Sequence, residues 1–148
     1  MTPALPIDEE AERCLIGALL EGGQPDEDFQ YEHIIDERRR VLLQAADGLR
    51  EEGLLLLPPD SLAVGERRQR AIANAIVIAH GLESRGLWQF GDDPRGELAQ
   101  CIESACHPGL ADYYCRRLRD AFERRQHILS AQATIATATK GNGYEHVD

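Results

Sequence analysis

Residues 8–20 read DEEAERCLIGALL, and their order decides the fold class. Asp8 is a natural helix N-cap, because its short carboxylate accepts from an amide that the first turn leaves without a partner. Glu9, Glu10 and Glu12 follow in the first turns, where the helix dipole favours negative charge. Ala11, Cys14, Leu15, Ala18 and Leu19 recur at helical spacing as one apolar stripe, and Gly22 and Gly23 stop the helix. Gly17 falls inside it, where glycine costs about 0.5–1 kcal/mol relative to alanine. Close approach of another helix would explain its presence.

The same periodicity continues outward. Residues 24–35 are acidic and irregular, with Phe29 and Tyr31 expected to tuck inward. A second helix is expected over 36–52, with Val41, Leu42, Ala45 and Leu49 facing the core and Arg38, Arg39, Glu51 and Glu52 solvated. Gly53 ends it. Residues 54–66 form a connection, since Pro58 and Pro59 rule out a helix interior. A third helix is expected over 67–84 with Ile72, Ala75, Ile76, Ala79 and Leu82 on its core face, closed by Gly86. Asp93-Pro94 is the usual order at a helix start and opens a fourth, with Leu98, Cys101, Ile102 and Ala105 inward. Pro108-Gly109 breaks it. The last helix spans 110–139, striped by Tyr114, Leu118, Ala121, Phe122, Leu129 and Ile135. The polar tail 140–148 is expected to fray. No stretch alternates with period two for long enough to argue a sheet. The pattern therefore predicts an all-α, compact orthogonal bundle over 1–109, a long helix over 110–139 and a flexible tail over 140–148.

Composition agrees with one helical domain. The chain has 148 residues, 43% of them hydrophobic but only 5% aromatic, so Leu, Ile, Val and Ala must build the core. The net charge of −10 repels phosphate backbones, and Lys140 is the only lysine, which argues against direct nucleic-acid binding. The apolar run 54–57 is far short of the roughly 18 residues of a membrane span. The opening MTPALPIDEE lacks the basic and apolar regions of a secretory signal. A cytoplasmic setting is expected, with Cys14, Cys101, Cys106 and Cys115 reduced and packed as small hydrophobes.

Catalytic signatures are missing. A nucleotide motor needs a glycine-rich loop running into Lys-Ser or Lys-Thr, and Lys140 precedes a glycine instead of following one. Cys101, Cys106, His107 and Cys115 have none of the short paired spacings of zinc ligands. His33, His80, His107, His127 and His146 are scattered outside any nucleophile motif. No cofactor is expected. The basic run over 116–125 carries Arg116, Arg117, Arg124 and Arg125 among Asp112, Asp120 and Glu123. It has two readings: a solvated face with pairs such as Asp112–Arg116 and Asp120–Arg124, or a partner-docking surface.

Several of these segments resemble the N-terminal domain of DnaB-type replicative helicases. Pro6, Glu10, Ala11, Glu12, Ile16 and Gly17 are similar to that family's opening of Pro, three residues, Glu-Ala-Glu and an apolar-Gly step. Residues 35–42, IDERRRVL, resemble its basic turn into the second helix, with Ile34 and Ile35 in place of an aromatic pair and Arg in place of His. Gly53 and Pro59-Asp60 resemble its entry to the third helix, and residues 82–87, LESRGL, its exit. Residues 111–114, ADYY, with Leu118-Arg119-Asp120 and Arg124-Arg125 resemble the start of its helical hairpin. The connection between Gly53 and Arg70 is longer than usual, and the chain ends where the hairpin's second helix would begin. The resemblance implies a non-catalytic oligomerisation and docking domain in bacterial, phage or plasmid DNA replication. Its partners would be a second copy of itself and a primase or helicase loader, with no direct contact to nucleic acid or membrane. Self-association would run along Tyr114, Leu118, Phe122, Leu129 and Ile135. The alternatives are a stand-alone regulator mimicking the helicase collar and, in a different class, a small Cys/His zinc protein or hydrolase.

Overall fold

The computed structural model describes residues 7–55, 64–105 and 108–145. Within them the chain is all-helical: α1 (Glu9–Leu20), α2 (Glu37–Glu51), α3 (Val64–Ser84), α4 (Pro94–Ser104) and α5 (Ala111–Glu145), with 3-10 turns at Tyr31–His33 and Pro108–Leu110. Three helices start on the aspartates that the sequence marks. Asp8 Oδ1 accepts from the Ala11 amide at 3.1 Å, Asp36 Oδ1 from Arg39 at 3.1 Å and Asp93 Oδ1 from Arg95 at 2.9 Å. α3 ends at Gly86, whose φ of 65° lets the Leu87 amide reach back to the Leu82 carbonyl at 2.9 Å. Among the described residues no helix is long and apolar enough to cross a membrane.

α1 is the central element and touches all four other helices. Nine of its twelve residues are buried, so it is wrapped on nearly every side and carries more than one stripe. Ile16 and Leu20 enter a core shared with Leu42, Leu49, Ile78 and Leu98 of α2, α3 and α4. Ala11, Cys14, Leu15, Ala18 and Leu19 enter a second core with Ile34, Leu43 and the first turns of α5, through Tyr114, Cys115 and Leu118.

Four expectations are corrected. α3 starts at Val64, inside the expected connection, and leaves Ile72 and Ile76 46% and 56% exposed. Its core face is Ala71, Ala75, Ile78, Ala79 and Leu82. The apolar arc of α3 is wider than the face that α2 and α4 cover, so spacing alone does not say which edge is buried. Arg39 is buried, for the reason given below. Tyr31 is exposed and donates its hydroxyl to Asp47 instead of tucking inward, while Phe29 packs half-buried against the second core. α5 runs on through Glu145, taking in most of the expected tail. Pro6, Pro58, Pro59, Asp60, Cys106, His107 and His146 lie outside the described residues.

Gly17 does have a packing role. A Cβ there would lie 2.7 Å from Ala105 Cβ and still closer to the Cys101 carbonyl oxygen, both on the C-terminal end of α4. Backbone cannot swing aside as a side chain can, so Gly17→Ala should destabilise by about 1–3 kcal/mol through overpacking. Gly48 of α2 has nothing within 4 Å of its would-be Cβ. Gly48→Ala should therefore be neutral or gain about 0.5–1 kcal/mol from helix propensity. Urea unfolding of both variants checks this; equal stabilities would mean that α1 and α4 are not in close contact.

Candidate functional site

Helices α1, α2 and α4 each place one charged residue at a core position. Glu12, Arg39 and Glu97 are 0%, 3% and 6% exposed. Each stands at helical spacing from buried apolar neighbours: Glu12 before Leu15 and Ile16, Arg39 before Leu42 and Leu43, Glu97 before Cys101. The Arg39 guanidinium joins them. Its Nη1 donates to Glu12 Oε1 at 2.8 Å and its Nε to Glu97 Oε1 at 2.7 Å. Arg13 Nε donates to the same Glu97 oxygen at 3.0 Å, and Glu12 Oε2 accepts from the Ile35 amide at 2.7 Å. Glu9 and Asp36 stand at the rim, 3.5 and 3.9 Å from Arg39.

Burial opposes ionisation at every member, and the partners decide the outcome. Burial works against the Arg39 cation, but the hydrogen bonds it donates to Glu97 and Glu12 outweigh that and hold the guanidinium charged. Burial also works against the Glu97 anion, and Arg13 and Arg39 together bring its pKa below the ordinary value of 4.5. At Glu12 burial wins over Arg39 and the Ile35 amide, and the pKa is raised. Glu97 therefore contributes stability above pH 4.5 that is lost as pH falls through its folded value; Glu12 has the opposite sense, its contribution present below 4.5 and lost as pH rises through its raised folded value. Chemically this is a joint between helices. Arg39 ties a carboxylate oxygen of α1 to one of α4, and the Ile35 amide holds the second oxygen of Glu12.

The docking and association residues scatter along α5. Arg117 is held by its own chain, with Nη2 2.9 Å from Asp8 and Nη1 3.2 Å from Glu10. Arg119 faces Asp28 at 3.5 Å. Arg116 and Arg124 are exposed and Arg125 is half-buried, and Arg124 donates to the Asp120 carbonyl in place of the expected carboxylate pair. Tyr114 and Leu118 are buried in the second core, so the seam expected from Tyr114 to Ile135 is closed over its first half. They lie where α5 crosses α1, which covers them. Phe122 is half-buried, its ring 5.1 Å from His33. Only Leu129 and Ile135 of that set are exposed, on a stretch where no described side chain beyond Ala121 is buried. Burial lowers the His33 pKa, and its Nδ1 accepts from the Gln30 amide at 3.3 Å.

Cys14, Cys101 and Cys115 are buried thiols, as the sequence suggests. Burial pushes Cys101 up to about 12 and Cys115 up to about 11, the reverse of an activated nucleophile. Among the described residues no group of three His, Cys, Asp or Glu side chains is placed to hold a metal ion. No family model matches the chain, and no curated protein or solved structure matches it.

Sequence reading missed Arg39 and Glu97 because charge was equated with exposure. The available signal was their position, each on the buried arc of its helix.

Arg39→Met leaves Glu12 and Glu97 without their shared counter-charge. A loss of about 3–5 kcal/mol at pH 7 is expected, the usual cost of breaking a buried pair. The loss should shrink toward pH 4, where the stranded carboxylates can be protonated; a deficit independent of pH would mean that they are hydrated. In a Cys106→Ser background the remaining thiols should react with a disulfide reagent at pH 8 only on unfolding. Fast native labelling would place one of them in an accessible, activated setting.

Proposed function

We propose that this chain is a non-catalytic protein-docking domain of the kind found at the N-terminus of DnaB-type replicative helicases, acting in DNA replication in a bacterial, phage or plasmid setting. The observation that carries this reading is where the resembling residues fall. Glu12 of the Glu-Ala-Glu opening and Arg39 of the basic turn into α2 are paired with each other. Gly17 of the apolar-Gly step lies under the α4 backbone. Leu82 and Leu87 of the exit close α3 through one hydrogen bond. Two motifs far apart in sequence, the Glu-Ala-Glu opening and the basic turn, thus meet in space, which supports the reading.

The acidic surface and the missing phosphate-cradling loop support a role without ATP hydrolysis or DNA contact. In this reading the partner is a helicase-binding domain of a primase or a loader, met at the exposed Arg116 and Arg124 and the half-buried Arg125. Self-association through the outer part of α5 involves Leu129 and Ile135, since Tyr114 and Leu118 are taken by the core.

Calorimetric titration with the C-terminal helical domain of the primase encoded in the same genome tests the reading. Saturable binding in the micromolar range, about −8 kcal/mol, is expected, weakened by Arg124→Glu with Arg125→Glu. A flat titration at about 100 μM would count against it.

A further inference from the structure

We propose that the groove between α3 and α4 is a face on which a second copy of this chain packs, two-fold symmetrically. The groove has a volume of about 320 Å³ and a floor of Ala75, Leu98 and Ile102. Its α3 wall is the ridge Arg68, Ile72, Ile76, spaced four residues apart, and its α4 wall includes Arg95, Ala99 and Glu103 at the same spacing. Ridges of this kind interlock with the grooves of another helix pair. Ile72 and Ile76, one turn apart, thus place two large β-branched side chains on the exposed side of this groove. β-Branched residues are poor choices for a solvated helix surface, and the sequence pattern of α3 treats Ile72 and Ile76 as core. The strip is apolar surface that a packed partner would take out of water.

The rim chooses the occupant. Arg95 is engaged by Glu83 and Asp93, at 3.4 and 3.1 Å. Arg68 and Glu103 stand exposed on opposite walls, and among the described residues neither has an ion-pair partner. A rim with one free charge of each sign suits neither a uniformly acidic nor a uniformly basic helix. It suits itself. In an isologous contact residue i meets j of the partner while j meets i, so Arg68 of each copy faces Glu103 of the other. The isoleucine ridge of each then lies along the other's groove, and α3 and α4 of both copies form a four-helix layer. This face is separate from the outer part of α5.

Sedimentation equilibrium of the full chain over roughly 1–300 μM tests the proposal, a range covering ordinary reversible dimers. The wild type should pass from monomer to dimer, and Ile76→Glu should stay monomeric with an unchanged melting curve. Arg68→Glu and Glu103→Arg should each weaken association about tenfold or more, and the double variant should recover most of it, as a direct pair requires. A strict monomer throughout the range would overturn the proposal. So would a dimer that survives Ile76→Glu, or a charge-swapped double variant no better than either single one; loss of that dimer on Ile135→Glu would move the contact to α5.

Discussion

A guanidinium buried among three helices constrains everything around it. Once Arg39 leaves water it needs acceptors in the right directions, and Glu12 from α1 and Glu97 from α4 supply them. Breaking that set costs more than it would ever gain over an apolar core, so its value lies in fixing geometry. The three helices can meet in one register only, because a slip along α1 or α4 strands a charge. Ile35 is drawn in as well, its amide closing the last open carboxylate oxygen of Glu12. The irregular 24–36 segment is thereby pinned at its end, and Asp36 is left in place to cap α2.

Two further features follow from a central α1. Gly17 allows the C-terminal end of α4 to lie close against it, which puts Glu97 one to two turns away within reach of Arg39 and Arg13. The other side of α1 carries the first turns of α5, and Arg117 clamps that crossing to Asp8 and Glu10. The outer part of α5 runs clear of both cores. Over its 35 residues the helix is about 50 Å long at 1.5 Å per residue, far more than a domain of this size can cover.

Much of the architecture was legible because helix ends are written in short local signals. Asp8, Asp36 and the Asp93-Pro94 pair mark three starts, and Gly53 and Gly86 mark two ends. What was not legible depends on how elements face one another. Ile72 and Ile78 of α3 are equally apolar and equally helical in spacing, and only the placement of α2 and α4 makes one surface and the other core. Arg39 and Glu97 were hidden for a related reason: a charge on a buried arc makes sense only when its partner's helix is known. Tyr114 and Leu118 form a stripe whichever surface covers them, and here that surface is α1 of the same chain.

The docking role proposed for the chain needs a rigid body to display its surfaces, and the Glu12–Arg39–Glu97 joint supplies the rigidity. Native-state hydrogen exchange at the Ile35 amide tests this most directly. That amide belongs to no helix, and the account gives it one partner, the Glu12 carboxylate. Its opening free energy should approach that of global unfolding, as for amides in the core of α1. Exchange at the rate of an unstructured loop would contradict the account, because the carboxylate, and with it the joint, would then be open to water in the native state.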